Sequence, residues 1–381
     1  MSKKIPVGIL GATGMVGQKY IQLLENHPFF EVVILAASSR SSNQIYSESV
    51  FGRWQMSTDI PNSIASLQVV EVDKLAENLD NPSFLKNYLP KNFDIQENPI
   101  KLFFSCFEIP DKERIRKYEN EFAKFGFVVV SNASANRWAE DIPMLLPEIN
   151  TQHLEIISMQ KKNRNFQSGC IVVKPNCSLQ SYLTPLYALE KAGFELQEII
   201  ITTMQAVSGA GYPGISSLDM IDNLVPFIDG EEKKSEQEPL KILGKIKDGK
   251  FVIRDNLKIS ATCIRVPVTD GHTASVSVKF KDKKPNLEQV LEIWQNFKSV
   301  PQELDLPFAP KQPIRYIDEP NRPQPKKDKD KDKGMAVTVG RLRECSVFDI
   351  KFVALSHNTV RGAAGGGILN AEVLYKKGYL D

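Results

Sequence analysis

Two successive α/β domains are predicted, the first a doubly wound parallel sheet and the second an α+β domain with a mostly antiparallel sheet. Three observations predict them. Strand, glycine turn, helix and strand open the chain in the order of a βαβ unit. From about residue 170 strands run in series, with few helices between them. The length of 381 residues, 42% of them hydrophobic, exceeds one ordinary domain and suits two.

Each element follows from local pattern. Residues 5–10, IPVGIL, read as a buried strand, and MVGQKYIQLLENH places Val16, Tyr20, Leu23 and Leu24 at helical spacing. FEVVILAAS supplies the second strand. IKLFFSCF and FGFVVVSNAS are further strands, with the charged helix DKERIRKYENEFAKF between them. After GCIVVKP comes a helix, SLQSYLTPLYALEKAG, that ends at a glycine cap, and then the strand QEIIITTMQAVSG. KISATCIRVPVTDGHTASVSVKF, GMAVTVGRLREC and VFDIKFVALS complete the second sheet, and NTVRGAAGGGILNAEVLYKKGYL turns through glycines into a last helix. The expected division is 1–175, completed by a C-terminal helix within 357–381, and 176–356. Residues 160–169 read as a long loop, and KKDKDKDK at 326–333 as a solvated one. Both are expected to affect only surface or subunit contacts.

Charge and composition exclude several functions. The net charge of +2 argues against nucleic acid or an anionic membrane surface and favours a small-molecule ligand. Five cysteines without CxxC pairs and four histidines without HxxxH or HExxH spacing support neither a disulfide framework nor a metal site. Lys3 and Lys4 before an apolar stretch imitate a signal peptide, but glycines at 8, 11, 14 and 17 interrupt it. No apolar run approaches the ~18 residues of a membrane span. A reduced, cytoplasmic protein is expected.

GATGMVG sets Gly11, Gly14 and Gly17 three apart at the strand-to-helix turn. Glycine there lets the backbone approach a pyrophosphate, whose charge free N–H groups and the helix dipole stabilise. Without a ligand the same residues make only a tight turn. Gly11, Thr13, Gly14, Met15 and Val16 are the candidate contacts. In NAD-binding units a carboxylate commonly ends the second strand; here SSRSS stands instead. Ser38, Ser39, Arg40 and Ser41 offer donors and a positive charge, which suits the 2′-phosphate of NADP.

Cys177, in VVKPNCSLQS, stands at the start of a predicted helix, where the dipole favours a thiolate. Cys106, Cys170, Cys263 and Cys345 lie in strand-like runs and read as inert hydrophobes. Of the histidines, His272 shares a strand-turn-strand feature with Arg265, whereas His27, His153 and His357 read as surface or structural. Cysteine, histidine, arginine and a nucleotide site together suggest a reductase that passes through a thioester.

GATGMVGQ, SNASANRW, PNCS, MQAVSGAGYPG, EPLKILG, RVPVTDGHTASV, NRPQP, KGMAVTVGRL and HNTVRGAAGGGILNAE occur in order from residue 11 to 372. In these pieces the chain resembles aspartate-β-semialdehyde dehydrogenases, in the branch found in archaea, fungi and some bacteria. The resemblance implies a Rossmann-type NADP domain, a catalytic and dimerisation domain, and a homodimer or homotetramer. It also implies NADPH-dependent conversion of L-aspartyl-4-phosphate to aspartate semialdehyde and phosphate, in lysine, threonine and methionine biosynthesis. Carried over by motif, Cys177 is the thioester nucleophile, His272 the acid/base, and Gln205 the orienting residue. Arg265 would hold the substrate α-carboxylate, Glu238 its ammonium, and Arg137 with Lys241 its phosphate, beside Asn176. Ser208 and Gly209 would approach the cofactor, with Asn358 near the nicotinamide amide. Malonyl-CoA reductase resembles the same branch, and a silent NADP-binding regulator could share the fold. The joint presence of Cys177, Gln205, Arg265 and His272 argues against the regulator.

Overall fold

The computed structural model describes residues 3–381, so the first two residues of the expected nucleotide domain lie outside it. The chain divides into two compact units, one of residues 1–145, 153–174 and 367–381 and one of 146–152 and 175–366.

The first unit is built on a six-stranded parallel sheet. Its strands are β1 (Ile5–Leu10), β2 (Phe30–Ala37), β3 (Val69–Glu71), β4 (Leu102–Ser105), β5 (Val128–Ser131) and β6 (Cys170–Val173), in the order β3-β2-β1-β4-β5-β6. The order reverses between β1 and β4, which opens a crevice at the carboxyl ends of the strands. Helix Met15–Leu24 buries Tyr20 and Leu24 as the sequence spacing predicts, and Ile21 beside them, while Val16 and Leu23 of that predicted face are half-buried. The last helix, Gly365–Lys376, carries Glu372 to His27 at 2.8 Å, both side chains wholly buried. That pairing makes His27 structural.

The second unit holds β7 (Leu196–Gln205), the small hairpin β8 (Lys245–Lys247) and β9 (Lys250–Val252), then β10 (Lys258–Arg265), β11 (His272–Phe280), β12 (Ile314–Ile317), β13 (Val337–Glu344) and β14 (Ile350–Ser356). Six of them form one mixed sheet, β10-β7-β11-β14-β13-β12. The β7–β11, β11–β14 and β13–β14 pairs are antiparallel, while β7–β10 and β12–β13 are parallel. The parallel β7–β10 pair needs a long crossover. Residues 206–257 supply it, including helix Glu231–Ile242.

Two expected loops are ordered differently. Residues 160–164 are the end of a helix, Ile157–Arg164, that stops at Asn165 in the left-handed conformation. Gln160 there pairs with both backbone groups of Ile171 on β6, and Arg164 makes a two-pronged contact with Asp141. The polar side chains that suggested a loop are what fasten this helix to the sheet. The KKDKDKDK run is likewise not uniformly solvated. Asp328 is buried, accepting from the Arg322 guanidinium and the Gln324 N–H, while Asp332 faces Arg315 and Asp330 faces His357.

Candidate active site

In the first unit the turn after β1 has the form a pyrophosphate requires. Gly11 has φ +81°, and a Cβ there would stand 2.6 Å from the Cys106 carbonyl oxygen, so both conformation and space demand glycine. Gly14 precedes helix Met15–Leu24 with no side-chain cap of its own and no acid in the first turn, and the Glu108 carboxylate, from the loop after β4, accepts the Val16 backbone N–H, so this helix end already attracts an anionic group. Gly11, Thr13, Gly14, Met15 and Val16 are all partly exposed along this turn. At the end of β2, Ser38, Ser39 and Arg40 are exposed. Ser41 is not: its carbonyl accepts from Ser49 and its hydroxyl meets Arg53 at 3.5 Å, so it braces the turn instead of facing a ligand.

The second unit assembles the reacting groups through strand register. Arg265 on β10 is the direct partner of Gln205 on β7, and the antiparallel β7–β11 pairing, with Thr273 opposite Met204, brings His272 beside Gln205. Three adjacent strands thus end in Arg265, Gln205 and His272. Cys177 lies after β6, where the chain enters a 3₁₀ turn, Ser178–Ser181, and only then helix Leu183–Lys191. The expected helix start is therefore a tighter turn. Asn176 shapes it, its Oδ1 accepting from the Ser178 N–H at 2.8 Å and the Ser178 hydroxyl at 2.7 Å.

Cys177 Sγ is 3.3 Å from His272 Nε2. His272 Nδ1 accepts the Ala206 N–H at 3.1 Å, which assigns the proton of the neutral ring to Nε2, facing the sulfur. Complete burial, with the charges of Arg265 and His357 adding, pushes the imidazole pKa down to about 3. The neutral ring presents its Nε2–H to the Cys177 sulfur. Arg265 donates through Nη1 to the Ala206 carbonyl at 2.8 Å, but its Nε is buried without a partner. Burial lowers the guanidinium pKa, against the opposing pull of Cys177 and Glu231. A buried free N–H on a cation asks for an anionic ligand. Gly209 makes the approach possible, since a Cβ there would stand 2.9 Å from Arg265 Nη1. Asn358 ties this wall together, donating to Ser208 Oγ at 2.8 Å and accepting from the Gly271 N–H at 2.8 Å.

The structure separates two pairs of residues that the sequence leaves equivalent. Glu238 is 1% exposed and accepts the Asn176 backbone N–H at 2.7 Å. Lys241 is 2% exposed, with its ammonium 4.5 Å from the centre of the Phe251 ring. Two turns earlier on the same helix, Glu231 accepts from Asn176 Nδ2 at 2.9 Å, Gln205 Nε2 at 3.2 Å and Lys234 Nζ at 2.8 Å. Lys234 keeps 32% of its side chain exposed. Glu231, not singled out from the sequence, is therefore the carboxylate that reaches the Gln205 and Asn176 side chains, with the equally unforeseen Lys234 paired to it. Arg137 belongs to the first unit, where its guanidinium donates to the Lys174 carbonyl at 3.1 Å and the Asn132 carbonyl at 3.2 Å.

The family model for the semialdehyde dehydrogenase NAD binding domain matches residues 6–157, and that for the semialdehyde dehydrogenase dimerisation domain matches 183–361. The aspartate-semialdehyde dehydrogenase of Schizosaccharomyces pombe is 43% identical over 378 residues, covering 98% of this chain and 99% of its own length. The chain belongs to the aspartate-semialdehyde dehydrogenase family. The Archaeoglobus fulgidus member is 44% identical over 97% of this chain and 98% of its own length. A crystal structure of the Candida albicans aspartate-semialdehyde dehydrogenase with NADP superposes with a TM-score of 0.84 at 36% identity, covering 99% of this chain and all of that one. Within an aspartate-semialdehyde dehydrogenase, the turn at Gly11–Val16 fits a dinucleotide: its glycine is sterically required, and the helix end behind it draws an anionic group, here the Glu108 carboxylate at Val16.

Proposed function

We propose that the protein is an NADPH-dependent L-aspartyl-4-phosphate reductase that works through a thioester on Cys177. The observation that carries this reading is one cluster in the second unit. The Cys177 sulfur meets a neutral imidazole N–H, the adjoining Arg265 has an unpartnered N–H, and the Glu231 carboxylate accepts from Gln205, the register partner of Arg265. Cation and anion either side of a nucleophile suit an amino acid, whose carboxylate pairs with Arg265 and whose ammonium pairs with Glu231. Glu231 and Lys234 take the places assigned by motif to Glu238 and Lys241, because the latter pair is buried in contacts within the unit. Arg137, carried over by motif, is proposed as a phosphate ligand.

Cys177 loses its thiol proton to solvent, and the thiolate attacks the acyl carbon as the bond to phosphate breaks and phosphate leaves. NADPH, when bound, supplies the hydride that reduces the thioester. His272 Nε2–H donates first to the thiolate and then to the oxyanion formed at the former carbonyl. Collapse of the thiohemiacetal frees the semialdehyde and returns the thiolate. The test is NADP reduction by purified protein with phosphate and aspartate semialdehyde, set against malonate semialdehyde with CoA. Turnover of the second pair alone would replace this reading with malonyl-CoA reduction.

Two expected results sharpen it. Arg40→Ala weakens NADPH far more than NADH, by roughly tenfold or more, since a charge-assisted contact of about 1.5–3 kcal/mol is lost to a group that NADH lacks. Equal losses would leave Arg40 a loop-shaping residue. Glu231→Gln reduces the preference for aspartate semialdehyde over succinate semialdehyde about tenfold, because only the former carries the ammonium. If Glu238→Gln does this and Glu231→Gln does not, the assignment by motif is right.

The assembly is proposed to be a homodimer or homotetramer. Leu218, Ile221, Leu224 and Phe227 are all at least half exposed within ten residues of the second unit, an apolar surface that a lone subunit would leave in water. Among the described residues no helix is long and apolar enough to cross a membrane. All five cysteines are free, which accords with a cytoplasmic setting.

A further inference from the structure

Glu119 is a buried acid outside the reaction. It lies in helix Lys112–Phe125, on the face that buries Ile115, Tyr118, Phe122 and Ala123, where periodicity calls for an apolar residue. Ser105 and Ser131, register partners at the carboxyl ends of β4 and β5, both donate their hydroxyls to Oε1, the former at 2.6 Å. Asn136 Nδ2 donates to Oε2 at 2.7 Å. No cation among the described residues pairs with it. Burial raises its pKa while these three donors pull it back. Such a group is costly to the core, so its contacts point to a purpose.

Those contacts converge on the loop after β5. The Ser131 hydroxyl also accepts the Ala133 N–H at 3.1 Å, and Asn136 immediately precedes Arg137. The loop is thus pinned at both its start and its end. We propose that Glu119 is a positioning residue that, through Asn136, sets Arg137 for phosphate; the inference rests on the reading of Arg137 as a phosphate ligand. A carboxylate suits the task because it accepts from three donors at once, whereas an apolar residue would leave Asn136 and both serines without this acceptor.

The experiment measures KM for phosphate and for NADP in the aspartate semialdehyde assay for five proteins. They are wild type, Arg137→Ala, Glu119→Ala, Asn136→Ala and the double variant Glu119→Gln with Asn136→Asp. Arg137→Ala raises KM for phosphate. Glu119→Ala and Asn136→Ala raise it about tenfold, leaving KM for NADP within about twofold, because a displaced ligand loses its partner. The double variant keeps it near the wild-type value, since the new amide donates to the new carboxylate while both serines keep an acceptor. A normal phosphate KM in Glu119→Ala beside a raised one in Arg137→Ala overturns the proposal. A normal KM in Arg137→Ala overturns the phosphate reading itself, and the proposal with it. Should Glu119→Ala fail to fold, Asn136→Ala decides, because it removes the tether and keeps the acid.

Discussion

Cys177→Ser is expected to lower turnover by about 10⁴-fold or more while NADPH binding stays near the wild-type value, because a serine alkoxide is far less accessible than a thiolate at neutral pH. The nucleophile is also marked by reactivity. Burial raises the pKa of Cys106, Cys170 and Cys263, which removes them from competition for an alkylating agent. Cys345 is different. Burial is the largest single influence and raises its pKa, but the N–H groups of Phe348 and Val347, the Ser277 hydroxyl and Lys351 together outweigh it and leave it lowered. Iodoacetamide mapping is therefore best done in a Cys345→Ser background, where Cys177 takes the label and activity falls in step. Full activity after labelling, or a serine variant with a near-normal rate, would remove Cys177 from the mechanism.

His272→Asn is expected to cost about 10²–10⁴ in rate, the range for a positioned proton donor, with a smaller effect on substrate affinity. Because the ring is neutral from near pH 3 upward, no limb of the wild-type profile near 6.5 belongs to it. Wild type and variant should share their limbs between pH 5 and 8. The sign for stability follows from the same shift. The folded pKa lies below the unfolded 6.5, so the unfolded chain binds the proton and stability falls with pH from 6.5 towards 3. The variant lacks that acid-side loss. Thermal unfolding from pH 7 to 4 should show a shallower decline for His272→Asn than for wild type. A limb near 6.5 that vanishes in the variant would mean the ring is protonated in the free enzyme.

How much was legible depends on how local each feature is. The βαβ opening was readable because a strand, a turn needing glycine at Gly11 and the Val16–Tyr20–Leu24 spacing are written within 20 residues. Helix Ile157–Arg164 was missed because its polar residues serve Asp141 and β6, partners distant in sequence. Asp328 looked solvated among lysines until Arg322 was found across it. Ser41 looked like its neighbours, yet only Ser38, Ser39 and Arg40 face outward.

The sequence by itself carried the order of elements, the glycine turn and the proposed nucleophile Cys177 with its proposed partners His272 and Arg265, since residue type, periodicity and motif hold those. Only the tertiary structure distinguishes the contacts of the two E-x-x-K copies, Glu231 with Lys234 and Glu238 with Lys241. They are seven residues apart, nearly two helical turns, so both lie on one face and no local pattern ranks them. Only the register that ends β7 at Gln205 and the turn that presents Asn176 bring partners to Glu231. The tautomer of His272 was decided in the same way, by the Ala206 N–H across the β7–β11 pair. Pairing between distant strands sets which atoms meet, and residue spacing along one strand does not encode it.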